Sequence, residues 1–406
     1  MFNDRWISLI FLMVLIGVLG QQGGMLMLAI LLSTIIPVAW LWNRYALRRL
    51  EYTRTLSAQR VFMGETVDLT LQVTNRKILP LAWLRIEDEF PVRVTLLDEA
   101  TISPAPGTEY LINLMSLRWY ERVSWRYRLL CDQRGYHTFG PARLTSGDLF
   151  GLFSEATLLP QRDWLIVYPQ VKPLPELGFP PKDPFGEIKA KQRIFEDPSR
   201  TIGVRDYGPG DEFKRIHWKA TARRQELQVK VYEPTTTSQL VLMVNIATLP
   251  KYWQGVIPER LEHTLSVAAS LASDAVERRY QVGVLANGCW PYSHQLLKVL
   301  PSRDPDQLMR ILEALAVVSS LPTLTIEDLL VRQSPHLPWG ATLVVVTSVV
   351  TEELLATMIA LRDAGRRLVL VSLDAAAPEE EIPGIVVHRL SQEKSLPVRQ
   401  EEAVSV

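Results

Sequence analysis

The chain has 406 residues, with 44 Lys and Arg against 44 Asp and Glu, and 47% apolar residues. That length leaves room for two or three domains, and a formal charge of zero argues against a general nucleic-acid binder, which carries a clear basic excess. Two cysteines, Cys131 and Cys289, without a CxxC pair or a Cys/His cluster, exclude a disulfide scaffold and argue against structural zinc; a bridge between the two stays open.

The N-terminus reads WISLIFLMVLIGVLG, then QQGG, then MLMLAILLSTIIPVAWLW, with no charge between Arg5 and Arg44. Two apolar runs around a Gly-rich turn predict a transmembrane helical hairpin over residues 1–50, with spans at about 6–22 and 24–42. Trp40 and Trp42 suit the membrane interface, and Arg44, Arg48 and Arg49 place the bulk of the chain in the cytoplasm by the positive-inside rule. A rival reading takes the first run as a cleaved signal peptide ending near Val18-Leu19-Gly20.

From Arg54 to Val167 short runs alternate apolar and polar residues, as in VDLTLQVTN (Val67–Asn75), AWLRIEDEF (Ala82–Phe90) and RVSWRYRLLC (Arg122–Cys131). Period two, broken by Gly, Pro and Asn clusters, predicts an antiparallel β-sandwich over 54–167. Asp148 in SGDLFGLF reads as a turn residue. Residues 168–200 are Pro-rich and read as an extended linker.

Beyond residue 201 the pattern becomes α/β. Gln239–Ala247, Tyr280–Asn287, Ala341–Ser348 and Arg366–Asp374 are near-continuous apolar runs, the mark of strands buried on both faces. Ser293–Leu300 is a further candidate strand. Helices are expected at Pro258–Arg279, Asp304–Val318, Ile326–Gln333 and Glu352–Ala364. The alternation predicts a doubly wound, mostly parallel sheet over 201–390, followed by a polar tail at 391–406. No glycine-rich dinucleotide turn, Walker A loop, HExxH or GxSxG occurs, so no cofactor is expected.

The stretch RDYGPGDEFKRIHWKATARRQELQVK (Arg205–Lys230) is the densest in charge. Gly208-Pro209-Gly210-Asp211 fits a type II turn, and Asp211 then suits the N-cap of a helix. Phe213, Ile216, His217 and Ala220 share one face of that helix, with Arg215, Trp218, Lys219 and Ala222 on or near the other. Leu227, Val229 and Val231 alternate into a strand. On this reading Asp211 is a cap, His217 a core histidine, and the basic face a solvated, salt-bridged or docking surface; an exposed Trp218 favours docking.

Arg205, Tyr207, Pro209, Gly210, Asp211, Arg215, Ile216, Trp218, Lys219, Ala222 and Arg223 together resemble the signature of a bacterial family known as "domain of unknown function 58". The order of hairpin, sandwich with a DLFGLF turn (Asp148–Phe153) and α/β domain is also similar to that family. The resemblance implies that the last domain is von Willebrand factor A-like and that the partner is a MoxR-type AAA+ ATPase, with transglutaminase-like membrane proteins nearby. It implies no enzymatic activity. In such a domain Asp-x-Ser-x-Ser after the first strand holds a divalent metal; the matching positions here are Asn245, Ala247 and Leu249, which lack the charge and the hydroxyls a hard cation needs, and Thr347 and Ser348 do not restore the charge.

The function expected from all this is a membrane-anchored, non-catalytic interaction protein. Two alternatives are a membrane-associated hydrolase using Asp206, Asp211 and His217, and nucleic-acid binding by the basic helix, against which the neutral charge argues.

Overall fold

A computed structural model describes residues 4–390 apart from 22, 98–101, 106–107, 181–184, 186–194, 209–210, 212, 214–215, 236–238, 252–253, 292, 294, 339 and 375–381. The chain forms two compact units, Met1–Pro169 and Gln170–Val406. The expected tail from Ser391 lies outside the described residues.

The first unit opens with helices α1 (Asp4–Leu19) and α2 (Gly23–Ala46). At about 1.5 Å per residue α1 reaches only about 24 Å, short of the ~30 Å hydrocarbon core of a bilayer. Within α2, Leu26–Ala46 is long and apolar enough to cross a membrane. The helices differ in extent from the expected apolar runs. α1 stops at Leu19, and Gln21 in the turn beyond it takes a left-handed φ of 49°. α2 runs past Trp42 to Ala46, because helical hydrogen bonding continues through polar residues that a hydropathy run does not register. The Ser33 and Thr34 hydroxyls donate to the Ile30 carbonyl at 2.8 and 2.9 Å, which satisfies both within an apolar helix.

Strands β1 (Leu50–Leu56), β2 (Arg60–Phe62), β3 (Thr66–Asn75), β4 (Leu81–Phe90), β5 (Thr95–Leu96), β6 (Ile102–Ala105), β7 (Thr108–Leu117), β8 (Arg122–Leu130), β9 (Gly135–Phe139), β10 (Ala142–Gly147), β11 (Ser154–Leu159) and β12 (Asp163–Tyr168) come next. They form two antiparallel sheets, ordered β1-β3-β8-β5 and β11-β10-β4-β7-β6, and a smaller sheet β2-β12-β9. Alternation decides which face is buried. In β3, Val67, Leu69, Leu71 and Val73 point inward and meet Leu84, Ile86 and Phe90 of β4. Asp148, in the turn after β10, accepts the N–H groups of Phe150, Leu152 and Phe153 at 2.7, 3.1 and 2.8 Å, so it is a turn residue.

The same alternation drives Asp88 of β4 into the core, where it meets Arg54 of β1. Arg54 Nε donates to Asp88 Oδ2 at 2.9 Å, and its Nη2 donates to Oδ1 of the same carboxylate. Its Nη1 reaches the Phe139 carbonyl and Asp163 Oδ2, each at 2.9 Å. The Tyr52 hydroxyl donates to Asp88 Oδ2 at 2.6 Å. Burial works against the charge on Arg54, but the Asp88 carboxylate outweighs it and holds the guanidinium pKa above its ordinary value. Burial, and then Asp88, push the Tyr52 phenol above its ordinary range, so it stays a donor.

In the second unit a 3-10 turn at Leu174–Leu177 precedes β13 (Phe195–Asp206), α3 (Trp218–Arg224), β14 (Gln228–Thr235), β15 (Gln239–Val244), α4 (Pro258–Glu277), β16 (Gln281–Cys289), β17 (Leu296–Ser302), α5 (Gln307–Val317), α6 (Ile326–Gln333), β18 (Thr342–Thr347), α7 (Glu352–Asp363), β19 (Arg367–Ser372) and β20 (Val386–Arg389). One open sheet runs β17-β16-β15-β18-β19-β20 and is parallel except for β17 at its edge. Val241, Met243, Leu343, Val345, Leu368 and Leu370 pack against Leu329 and Leu330 of α6 and Leu354 and Met358 of α7. The alternate residues of those strands face the other side, where α4 and α5 pack together.

The reading of 168–200 as linker is corrected at its end. β13 already pairs with β14 from Phe195 opposite Thr235. The register shifts between Asp197 and Thr201, around Pro198, which has no N–H to give the ladder. Cys131 and Cys289 are free thiols.

Substitution tests the buried charges of the first unit. Arg54→Met leaves the Asp88 carboxylate buried without its cation and costs ~3–5 kcal/mol, whereas breaking the more exposed Arg85–Glu87 pair (2.7 Å) costs under ~1 kcal/mol; thermal unfolding of the full chain in detergent compares the two. Burial also pushes the Lys77 ammonium, in the β3–β4 loop, down from the ordinary 10.5 to about 8. The unfolded chain therefore binds the extra proton between those values, and stability contributed by this group rises as pH increases from about 8 to 10.5. Lys77→Met should remove that rise in melting temperature between pH 7 and pH 10.

Candidate functional site

The stretch Arg205–Lys230 folds as the end of β13, a turn, the short helix α3 and the start of β14. The hairpin ladder brings Asp206 opposite Gln228, and Val229 bridges Ile216. Ile216, Gln228 and Val229 are all buried.

Asp211 does not cap α3, whose N-cap is His217. Arg205 clasps its carboxylate with both guanidinium nitrogens, Nη1 to Oδ2 at 2.7 Å and Nη2 to Oδ1 at 2.6 Å. The Gly208 N–H adds a third bond to Oδ2 at 2.9 Å. The Asp211 N–H returns to the Gly208 carbonyl at 3.2 Å, which closes a four-residue turn, and the Tyr207 hydroxyl donates to the Asp211 carbonyl at 3.1 Å. Bidentate pairing of this kind fixes geometry as well as charge. Asp206 is held by Gln228 Nε2 at 2.6 Å.

The helix begins later than expected, at Trp218, and His217 rather than Asp211 is its N-cap. His217 Nδ1 accepts the Ala220 N–H at 3.1 Å, and the His217 backbone N–H donates to the Gln228 carbonyl at 2.7 Å. It is half-buried, not a core histidine. The apolar face expected to unite Phe213 with Ile216 does not form. Ile216 turns in against β14, while Phe213 stands 74% exposed beside Tyr207, ring centroids 5.9 Å apart. Trp218 is 69% exposed, and Lys219 and Arg223 lie on the exposed side of α3. Pro209, Gly210 and Arg215 lie outside the described residues. The hairpin thus gathers Arg205, Tyr207 and Asp211 into one clasp and displays Trp218 and Lys219 beside it.

The degenerate metal positions lie past the carboxyl end of β15. The chain leaves β15 for β16 on one side and returns to β18 on the other, so this is the topological switch point of the sheet. Asn245 Oδ1 accepts the Ala247 N–H at 3.1 Å and Asn287 Nδ2 at 2.8 Å, and its Nδ2 donates to Thr347 Oγ1 at 2.9 Å. Asn287 Oδ1 accepts the Ile246 N–H at 2.8 Å, and Ser348 Oγ donates to the Ala247 carbonyl at 3.3 Å. Leu249 brings no side-chain oxygen. Asn287 is not among the residues the sequence singles out; its signal is a polar residue closing the apolar run of β16 at the strand end where β15 gives way to Asn245. Among the described residues no three His, Cys, Asp or Glu side chains come together as a metal site.

Known proteins are similar to parts of this chain. A family model described as "Protein of unknown function DUF58" matches residues 203–401, which contain the clasp, α3 and the open sheet. "Uncharacterized protein YeaD" of Bacillus subtilis (strain 168) is 24% identical over 248 residues, covering 60% of this chain and 57% of that protein, so the match spans little more than half of the relative. Among solved structures, a cohesin module from a Clostridium perfringens family 33 glycoside hydrolase is 11% identical, covers 29% of this chain and 96% of that one, and has a TM-score of 0.19. Spo0M, a sporulation control protein from Bacillus subtilis, is 12% identical over 30% of this chain and 50% of its own, with a TM-score of 0.18. Scores this low carry no statement about fold or function.

The clasp should behave as a local lock. Asp211→Ala removes the carboxylate's bonds to Arg205 and Gly208 at a partly exposed turn and costs about 1 kcal/mol, a ~5-fold rise in the locally open population. The expected readout is faster tryptic cleavage after Lys219, Arg223 and Arg224 with the global melting temperature unchanged.

Proposed function

We propose that the chain is a membrane-anchored, non-catalytic interaction protein that docks a partner through its cytoplasmic domains. The observation that carries this reading is the division of labour in the Arg205–Lys230 segment. Asp206, Asp211 and His217, the groups a hydrolase would use, are each committed to holding the turn and the helix, while Trp218 and Phe213 are left displayed beside Lys219. Aromatic residues beside cationic ones are typical of interface hot spots. The anchor is α2, and Arg44, Arg48 and Arg49 at its end favour a cytoplasmic position for both folded units.

The α/β unit is read as von Willebrand factor A-like on its signature, its central first strand and its strand-end network, where amide and hydroxyl groups stand in place of a charged metal cradle. In this reading partner recognition is independent of a divalent ion. The partner expected from the resemblance is a MoxR-type AAA+ ATPase, with a transglutaminase-like membrane protein as a further component.

The test is affinity capture from gently solubilised membranes with the full chain as bait. A AAA+ ATPase captured by the wild type, and lost from a Trp218→Ala, Lys219→Glu variant of unchanged melting temperature, supports docking through this face. Undiminished capture by that variant moves the partner to another surface, and no ATPase in the wild-type eluate, even after cross-linking, overturns the assignment.

A further inference from the structure

Where α2 enters the first sheet, a cleft of about 550 Å³ opens between the last turns of the helix and the β3–β4 loop. Its upper wall is Val38, Leu41 and Trp42 of α2; Arg48, Arg49 and Lys77 supply its charge. Among the described residues no carboxylate lines it. Lys77 is the unusual member. It is only 8% exposed, and its Nζ, cut off from water, has no hydrogen-bond partner among the described residues. A buried ammonium without an acceptor is costly, so a site that keeps one points to an anion from outside the chain. Trp42 Nε1, in the same cleft, is a second buried donor with no acceptor among those residues. The Arg48 guanidinium lies 4.7 Å from the centre of the Tyr45 ring, which holds it at the mouth.

The surroundings say what kind of anion. Val38 and Leu41 belong to the membrane-crossing part of α2 and are exposed there. A free phosphate makes no use of such a wall, whereas a lipid fills it with acyl chain. Ile78, next to Lys77, is exposed, and so are Trp119 and Tyr120 of the β7–β8 loop, whose Tyr120 N–H donates to the Lys77 carbonyl at 3.3 Å. Apolar and aromatic loop tips beside cationic residues are the composition of a membrane interface.

We propose that this cleft binds the phosphate of an anionic phospholipid, with Arg48 and Arg49 at the headgroup, the Lys77 ammonium just beneath the lining and reached as the lipid seats, and Val38, Leu41 and Trp42 along its chains. The inference rests on α2 crossing a membrane, as in the function proposed above, and adds a lipid-specific seat for the first unit.

The full chain, delipidated in neutral detergent, is titrated with phosphatidylglycerol, phosphatidylcholine or inorganic phosphate and read by native mass spectrometry and melting temperature. Phosphatidylglycerol should be retained about tenfold more strongly than phosphatidylcholine, the worth of one charge-assisted contact. Lys77→Met should abolish that preference without lowering the lipid-free melting temperature, and Lys77→Arg should keep it. Equal retention of the two lipids, or a preference that survives Lys77→Met, overturns the proposal. Inorganic phosphate giving the whole stabilisation assigns the site to a free anion and overturns the lipid. Alkaline carbonate extraction separates the two levels: a chain released from membranes overturns the anchor and this site with it, whereas a chain retained there but blind to headgroup charge overturns this site alone.

Discussion

The guanidinium of Arg54 stands where three sheets converge, and the first unit is arranged around its charge. Strand alternation leaves β4 no choice but to turn Asp88 inward with Ile86 and Phe90. A carboxylate there is tolerable only with a cation of fixed geometry beside it. β1 supplies it, and β1 is the strand that comes directly after α2. Through Arg54 the edge of one sheet is tied to the middle of the other, and through Phe139 and Asp163 to the small third sheet. Replacing the pair by a matched apolar couple could preserve stability; what the pair adds is a single register, since a slip of β1 by one residue would strand both charges.

Much of the second unit is legible in the sequence because buried parallel strands read as unbroken apolar runs and the helices between them carry caps and periodicity. Ile326–Gln333 is matched end to end, with Thr325 accepting the Asp328 N–H at its start. The stretch 205–230 misleads for a specific reason. Its apolar residues happen to fall at helical spacing, but β13 lies alongside β14, and β14 takes Ile216 as a bridge partner, which leaves Phe213 outside. Tertiary pairing overrides local period. Asp211 has the chemistry of a cap, and nothing in the sequence signals that the guanidinium of Arg205 reaches its carboxylate across the turn. Lys77 gives no signal at all: one lysine in a turn is normally solvated, and only the packing of α2 against the loop encloses it.

The clasp and the strand-end network use polar side chains in the same way. Asn245, Asn287 and Thr347 close a network of amide and hydroxyl bonds at the place where open α/β sheets usually expose reactive or ligating groups. Arg205, Gly208 and Asp211 close another at the turn. Both arrangements use hydrogen-bonding capacity for rigidity, and the seven-residue α3, far too short to persist alone, depends on such a frame.

The junction after α2 has a mechanical meaning. Ala46, the last residue of the helix, is wholly buried in the core that holds Val73, Leu84 and Leu144, and only a tight turn with Arg49 at a φ of 54° separates it from β1. There is no hinge between rod and body. A helix seated in a bilayer answers changes in hydrophobic thickness by tilting, and here any tilt must swing the β-structured body with it. With α2 across a membrane, as proposed above, bilayer thickness becomes a lever on the angle at which the first unit meets the membrane plane.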